Sequence, residues 1–415
     1  MWLSLYSGMG YFVRKSVYCK LAEDYIVCCT LILDGKRMFD ESLSVWVKAG
    51  RFRTLLTARF LAIVSGCLAA NLCCTTAHAQ LDYRVLREPA LVAKTPERDF
   101  LEVVTRAGDR LIAVGEHGII IYSDDNGHDW HQAAVPVDVT LTTIAFATPQ
   151  DGWAGGALGV ILHTTDGGVT WKIQITGIRV NQLIATAASQ LAASNPTDLI
   201  TQRALRRANI FMEEGPDKPF LSILPFDANN VQIFGAYRMC IKSNNAGKTW
   251  KDCSLDIPDP VSHNLYQAVR SGSSIYVAGE SGSVFRSDDQ GQTFTQLTAP
   301  ADDTLFGLIV TPSHTLLSFG VAGGLFRSLD QGKTWSSVTI GNQSNLTAGV
   351  VLKSGLILVL SEGGAVYLSS DDGASFHVLK VNEGMDLFSA AQAPNGDIVL
   401  VGSGGVRVLS PASLT

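Results

Sequence analysis

An eight-residue pattern recurs six times between residues 123 and 376, and it limits the fold more than any other feature. It reads Ser/Thr-x-Asp-x-Gly-x-Thr-Trp/Phe. The copies are SDDNGHDW from Ser123, TTDGGVTW from Thr164, SNNAGKTW from Ser243, SDDQGQTF from Ser287, SLDQGKTW from Ser328 and SSDDGASF from Ser369. Their starts lie 41, 79, 44, 41 and 41 residues apart. The interval of 79 is close to two periods, so a repeat has decayed there or a segment is inserted. Each copy follows two alternating apolar runs joined by a Gly-containing turn, as in Leu111–Tyr122 and Ile275–Arg286. Period-two runs broken by glycine are short strands joined by tight turns. About four such strands per 41 residues is the size of a propeller blade.

The pattern has a mechanical reading as a turn between two strands. The carboxylates of Asp125, Asp166, Asp289, Asp330 and Asp371 accept hydrogen bonds from turn N–H groups, and Asn245 takes that place in the third copy. The glycine supplies a positive φ. The closing aromatics, Trp130, Trp171, Trp250, Phe294, Trp335 and Phe376, plug the gap between neighbouring blades. None of this calls for a ligand, so these acids read as structural rather than catalytic. Residues 80–415, less an insertion of about 40 residues, make seven units of about 42. The fold expected is all-β, a seven-bladed propeller. Its last blade, Leu387 to Ser410, has no box, and Leu81 to Val92 is expected to add its outer strand and close the ring.

The first eighty residues read differently. Phe60 to Cys74 is an apolar run, preceded by Arg51, Arg53 and Arg59 and followed by Ala77-His78-Ala79. That order suggests a secretory signal peptide over 51–79, cut after Ala79. Residues 1–50 then read as an extension upstream of the true start, at Met38 or near Arg51. A signal anchor and a lipobox ending in Cys67 are the other readings. After cleavage only Cys240 and Cys253 remain, three residues either side of the third box, where a disulfide is expected across the hairpin.

The long interval holds the insertion, 182–218. Gln182 to Ala192 has helical character, Asn195-Pro196-Thr197-Asp198 is a break and cap, and a second helix is expected from Leu199 to Glu213. Arg203, Arg206 and Arg207 cluster on it. Such a hairpin serves either to dock a partner or to cover a face or groove of the ring.

The boxes match the BNR or Asp-box repeat, found in sialidases and in many non-enzymes. With Phe211-Met212-Glu213-Glu214-Gly215-Pro216-Asp217-Lys218-Pro219-Phe220 after a helical insertion, the chain resembles bacterial relatives of the photosystem II stability/assembly factor family. That resemblance implies an exported, non-catalytic propeller. It would act as scaffold or assembly factor for a membrane-protein complex, either a photosystem-like assembly or an RND-type exporter. It places the chain in the periplasm, or in the thylakoid lumen of a photosynthetic source.

The alternative is a glycan-binding or sialidase-like propeller. The nearest counterpart of the sialidase Phe/Tyr-Arg-Ile-Pro motif is Tyr83-Arg84-Val85-Leu86, which lacks the proline. No HExxH, CxxC, Walker or GxSxG motif occurs, so no catalytic residue, metal or cofactor is expected. A net charge of −6 argues against a nucleic-acid partner. Lys242, Arg286 and Arg327 each precede a box, and on successive blades they would form a basic arc for an acidic partner or lipid headgroups. The ring is expected to be monomeric, with peripheral membrane association open to it.

Overall fold

The computed structural model of the chain describes residues 83–341, 343–379 and 384–414. The expectations for residues 1–79 lie outside them. Among the described residues no helix is long and apolar enough to cross a membrane.

Seven antiparallel sheets follow one another in chain order, each a simple meander. Blades 1 to 7 span 101–132, 141–175, 220–252, 265–296, 305–337, 346–379 and 387–409. The first strand of every blade packs on the first strand of the next, and that of blade 7 on that of blade 1. The first strands therefore form the inner wall of a seven-bladed propeller. The second strands are buried along nearly their whole length, as in Gly152–Gly156, Ile357–Ser361 and Ile398–Gly402. A strand covered on both faces reads as a continuous apolar run rather than an alternating one.

Each box is the turn between a third and a fourth strand. In blade 1 the Ser123 hydroxyl donates to Asp125 Oδ1 (2.8 Å) and accepts the Gly127 N–H (2.9 Å). Asp125 Oδ1 also accepts the Asp129 N–H at 2.9 Å. The pattern repeats in the other five boxes. In blades 4, 5 and 6 hydroxyl donors (Thr293, Thr334, Ser375) and backbone N–H groups hold Asp289, Asp330 and Asp371 at a pKa of about 2. Asn245 keeps the turn by accepting from the Thr249 N–H (2.9 Å) while its amide donates to the Thr249 hydroxyl (2.8 Å). The turn needs two successive positive φ values, not one: Gln290 at 61° and Gly291 at 76°, Ala246 at 58° and Gly247 at 77°. Each closing aromatic lies in a cluster shared with the preceding blade, for example Trp171 with Ile112 and Val114 of blade 1. Phe376 likewise packs with Leu317 and Phe319 of blade 5.

Two features differ from expectation. Blade 7 has three strands, and residues 83–92 supply none. They bind the seam between blades 1 and 2 instead, where the Ala90 N–H bonds Val135 O (3.0 Å) and the Asp138 N–H bonds Val85 O (2.8 Å). Leu86 and Ala90 bury their side chains there beside Val137 and Val139, a larger apolar gain than a solvent-facing outer strand offers. The ring closes through side chains: Leu101, Val104 and Leu111 of blade 1 pack with Ala391, Val399 and Val401 of blade 7.

The insertion also starts earlier than the sequence suggests. Helix α1 spans Gly177–Ser194 and helix α2 spans Leu199–Glu214. Gly177 sits against the Leu158 carbonyl, where a Cβ would lie 2.5 Å away. Val180 and Ile184 then fall on one buried face with Trp153 and Ile161 of blade 2 and Phe220 of blade 3. Asp198 caps α2 by accepting the Thr201 N–H at 3.0 Å. The Asn181 amide donates to the carbonyls of Phe211 (2.7 Å) and Gly215 (2.8 Å), locking the two helices together. The hairpin is thus part of the core between blades 2 and 3.

The third box carries the Cys240–Cys253 disulfide, with Cα atoms 4.9 Å apart.

Candidate functional site

The inner wall has a feature that the repeat pattern hides. Every first strand carries one β-bulge, at the same place near its start. The residues displaced from register are Glu102, Thr142, Leu221, Tyr266, Phe306, Thr347 and Phe388. A bulge re-aims one side chain and is common beside functional sites. All seven of these side chains are half-buried. They form a ring at one mouth of the central channel, and four of them, Thr142, Tyr266, Thr347 and Phe388, reach toward the next blade. Thr142 donates to the carbonyl of Phe220 in blade 3, and Thr347 to that of Leu387 in blade 7, both at 2.5 Å. Tyr266 of blade 4 meets Phe306 of blade 5 edge to face, with centroids 5.4 Å apart. Phe388 of blade 7 meets Phe100, just ahead of blade 1, at 5.1 Å.

Glu102 is the one ionisable acid in this ring. Among the described residues nothing donates to its carboxylate, and no cation pairs with it. Burial, helped by the nearby Glu116 charge, pushes its pKa up to about 7. Of the basic groups near it in sequence, His117 pairs with Asp138 at 3.0 Å and Arg98 lies 3.9 Å from Glu97. The same face bears the turns between second and third strands, the helical hairpin and the exposed ring of Tyr237.

The residues singled out as basic contacts are arranged otherwise. Lys242 pairs with Asp256 (2.7 Å), Arg286 with Asp288 (2.8 Å) and Arg327 with Asp372 of the next blade (3.1 Å). Neighbouring carboxylates therefore neutralise the expected arc. Arg203 and Arg206 are exposed on α2, whereas Arg207 turns inward. Its guanidinium donates to the Tyr237 carbonyl at 3.1 Å, and burial, reinforced by Arg238, lowers its pKa to about 10. The three arginines do not form one surface. Arg84 of the Tyr83-Arg84-Val85-Leu86 segment lies in a short 3-10 turn by the seam of blades 1 and 2. Among the described residues no group of His, Cys, Asp and Glu is placed to hold a metal ion.

The geometry agrees with what known proteins show. A family model described as photosynthesis system II assembly factor YCF48 matches residues 128–187, which run from the first box through blade 2 into α1. Over that stretch the chain is similar to the YCF48 family. It is 32% identical over 71 residues to the photosystem II assembly lipoprotein Ycf48 of Synechococcus sp. (strain CC9902). That match covers 17% of this chain and only 21% of the relative. In fold the likeness is wider. The solved structure of YCF48 bound to D1 peptide superposes with a TM-score of 0.56 at 15% identity, over 77% of this chain and 98% of that one. YCF48 from Cyanidioschyzon merolae gives 0.57 at 13% identity, over 78% and 99%. The WD40 propeller domain of Doa1 gives 0.55 at 13% identity, over 79% and 98%, so this likeness speaks for the propeller alone.

Proposed function

We propose that the chain is an exported, non-catalytic propeller that holds an extended segment of a membrane-protein partner across its channel mouth and so assists assembly of a membrane complex of the photosystem type. The observation that carries this reading is the ring of seven bulged side chains, of five different types on an otherwise repetitive wall. The repeat holds the wall rigid, and the bulges give it a readable, asymmetric surface. A YCF48-type relative has been solved with a bound peptide, which supports a peptide as ligand here. Export agrees with the signal-like stretch at 51–79, with the Cys240–Cys253 disulfide and with the lipoprotein naming of the Synechococcus relative. The boxes act as struts that dock each blade on the one before.

Affinity capture of the tagged chain from mildly solubilised membranes tests the reading. A membrane protein should co-purify in stoichiometric amount, and the double variant Tyr266→Ala/Phe306→Ala should lose it. Deletion of residues 182–218 is unsuitable, because it would strip the cover from Trp153, Ile161 and Phe220. Capture of no membrane protein, or capture unchanged by the double variant, would overturn the proposal.

A further inference from the structure

We infer that the channel mouth takes a positively charged side chain, the ammonium of a lysine or the guanidinium of an arginine, carried by the partner's extended segment. This names the ligand class for the site proposed above and rests on that reading.

The argument begins with Glu102. Six of the seven bulged side chains are uncharged, and the seventh is a carboxylate that nothing among the described residues satisfies. Half-buried carboxylates are normally hydrogen-bonded or paired. Thr142 and Thr347, in the same ring, each spend the hydroxyl on a neighbouring carbonyl. Glu102 has no donor of its own and cannot bond a carbonyl while ionised. The complement it lacks is a cation.

The rest of the mouth suits an organic cation rather than a metal ion. Tyr266 and Phe306 stand on blades 4 and 5, across the ring from blade 1. Phe388 and Phe100 flank the blade 7–blade 1 seam, and Phe100 is two residues from Glu102. Aromatic faces attract ammonium and guanidinium groups and pack their alkyl stems. A bare divalent ion would need several oxygen ligands. Here the described residues hold no such group. Glu116 adds a second negative charge beside Glu102, and none of the seven ring residues is basic. The charge at the mouth therefore favours lysine or arginine over an acidic side chain.

The test uses capped tripeptides Ala-Arg-Ala, Ala-Lys-Ala, Ala-Gln-Ala and Ala-Glu-Ala, titrated into the mature chain by NMR with 19F-labelled Phe as reporter. The arginine and lysine peptides should bind about tenfold more tightly than the glutamine peptide, and the glutamate peptide most weakly. Glu102→Gln should abolish the preference while leaving the melting transition cooperative. Phe306→Leu, which keeps the volume apolar, should weaken the cationic peptides and narrow the charge preference without abolishing it. Equal binding of all four peptides, or a preference that survives in Glu102→Gln, would overturn the inference. If the chain captures a membrane partner while the peptides show no preference, the cation fails and the proposed function stands. If the preference is present and no partner is captured, the reverse holds.

Discussion

Replacing Glu102 by glutamine should make the protein more stable, and more so as pH rises. The carboxyl has an ordinary pKa of 4.5 in the unfolded chain and about 7 in the fold, raised by burial and then by Glu116. Between those values the folded state binds the proton that the unfolded state has released. The raised pKa therefore costs nothing below about pH 4.5, and the cost accumulates as pH climbs toward 7. Above that it levels off at about 3 kcal/mol for a displacement of this size. Glutamine has the same shape and no charge to desolvate, so Glu102→Gln escapes the penalty. Urea unfolding followed by tryptophan fluorescence, at several pH values from about 5 to 8, measures the difference between the two proteins. Near pH 5 the curves should almost coincide, and near pH 8 the variant should lead by about 2–3 kcal/mol. A stability difference that stays constant over this range would refute the reasoning, because it would mean that Glu102 titrates normally and is not held in a dry mouth.

Further expectations follow from the boxes and their neighbours. Ala246 adopts a φ of 58°, which glycine takes without the Cβ penalty. Ala246→Gly should therefore raise stability by about 0.5–1 kcal/mol in thermal unfolding. The pair Cys240→Ser/Cys253→Ser, opening a link between residues 13 apart in sequence, should cost about 3 kcal/mol. Intact mass before and after reduction, which should differ by two hydrogens, checks the bond itself. Changing Lys242, Arg286 and Arg327 together to serine should leave partner capture intact, since each is already paired with a carboxylate. Loss of capture in a folded triple variant would restore the basic arc as a contact surface.

The propeller was legible in the chain because a repeated turn prints its own spacing. The box requires a hydroxyl, a carboxylate or amide, a glycine and an aromatic at fixed offsets, all within eight residues. Contacts between blades are different, since they join residues about 40 apart whose pairing no local pattern announces. Hence Arg327 is a candidate for the basic arc in the sequence, although Asp372 holds it from the next blade. Hence also the sequence reads as helix from Gln182 and not from Gly177: the apolar period of the first turn of α1 matters only once Trp153 and Phe220 are beside it. The bulge ring escaped for another reason. A bulge leaves the apolar alternation nearly intact, and the residue it ejects varies from Glu102 to Thr142 to Phe306, so no repeat marks the position. The N-terminal segment went astray because Leu91-Val92 has strand-like composition, yet Gln132 holds that stretch at Leu91 O (2.6 Å) and Ala93 N (3.1 Å).

The seam between blades 7 and 1 has a mechanical meaning. Among the described residues no blade draws strands from both ends of the chain, and side-chain packing joins blade 7 to blade 1. Its clasp is a patch of apolar side chains with two hydrogen bonds, Ser389 Oγ to Val104 O (3.4 Å) and Asn395 N to Asn126 Oδ1 (3.2 Å). Every other junction has a covalent tether running across it. Pulled apart by its ends, such a ring parts here first, and each blade that separates loses the neighbour covering its apolar face. New ends could be cut between any other two blades and the old ones joined, and the circle would re-form in the same order.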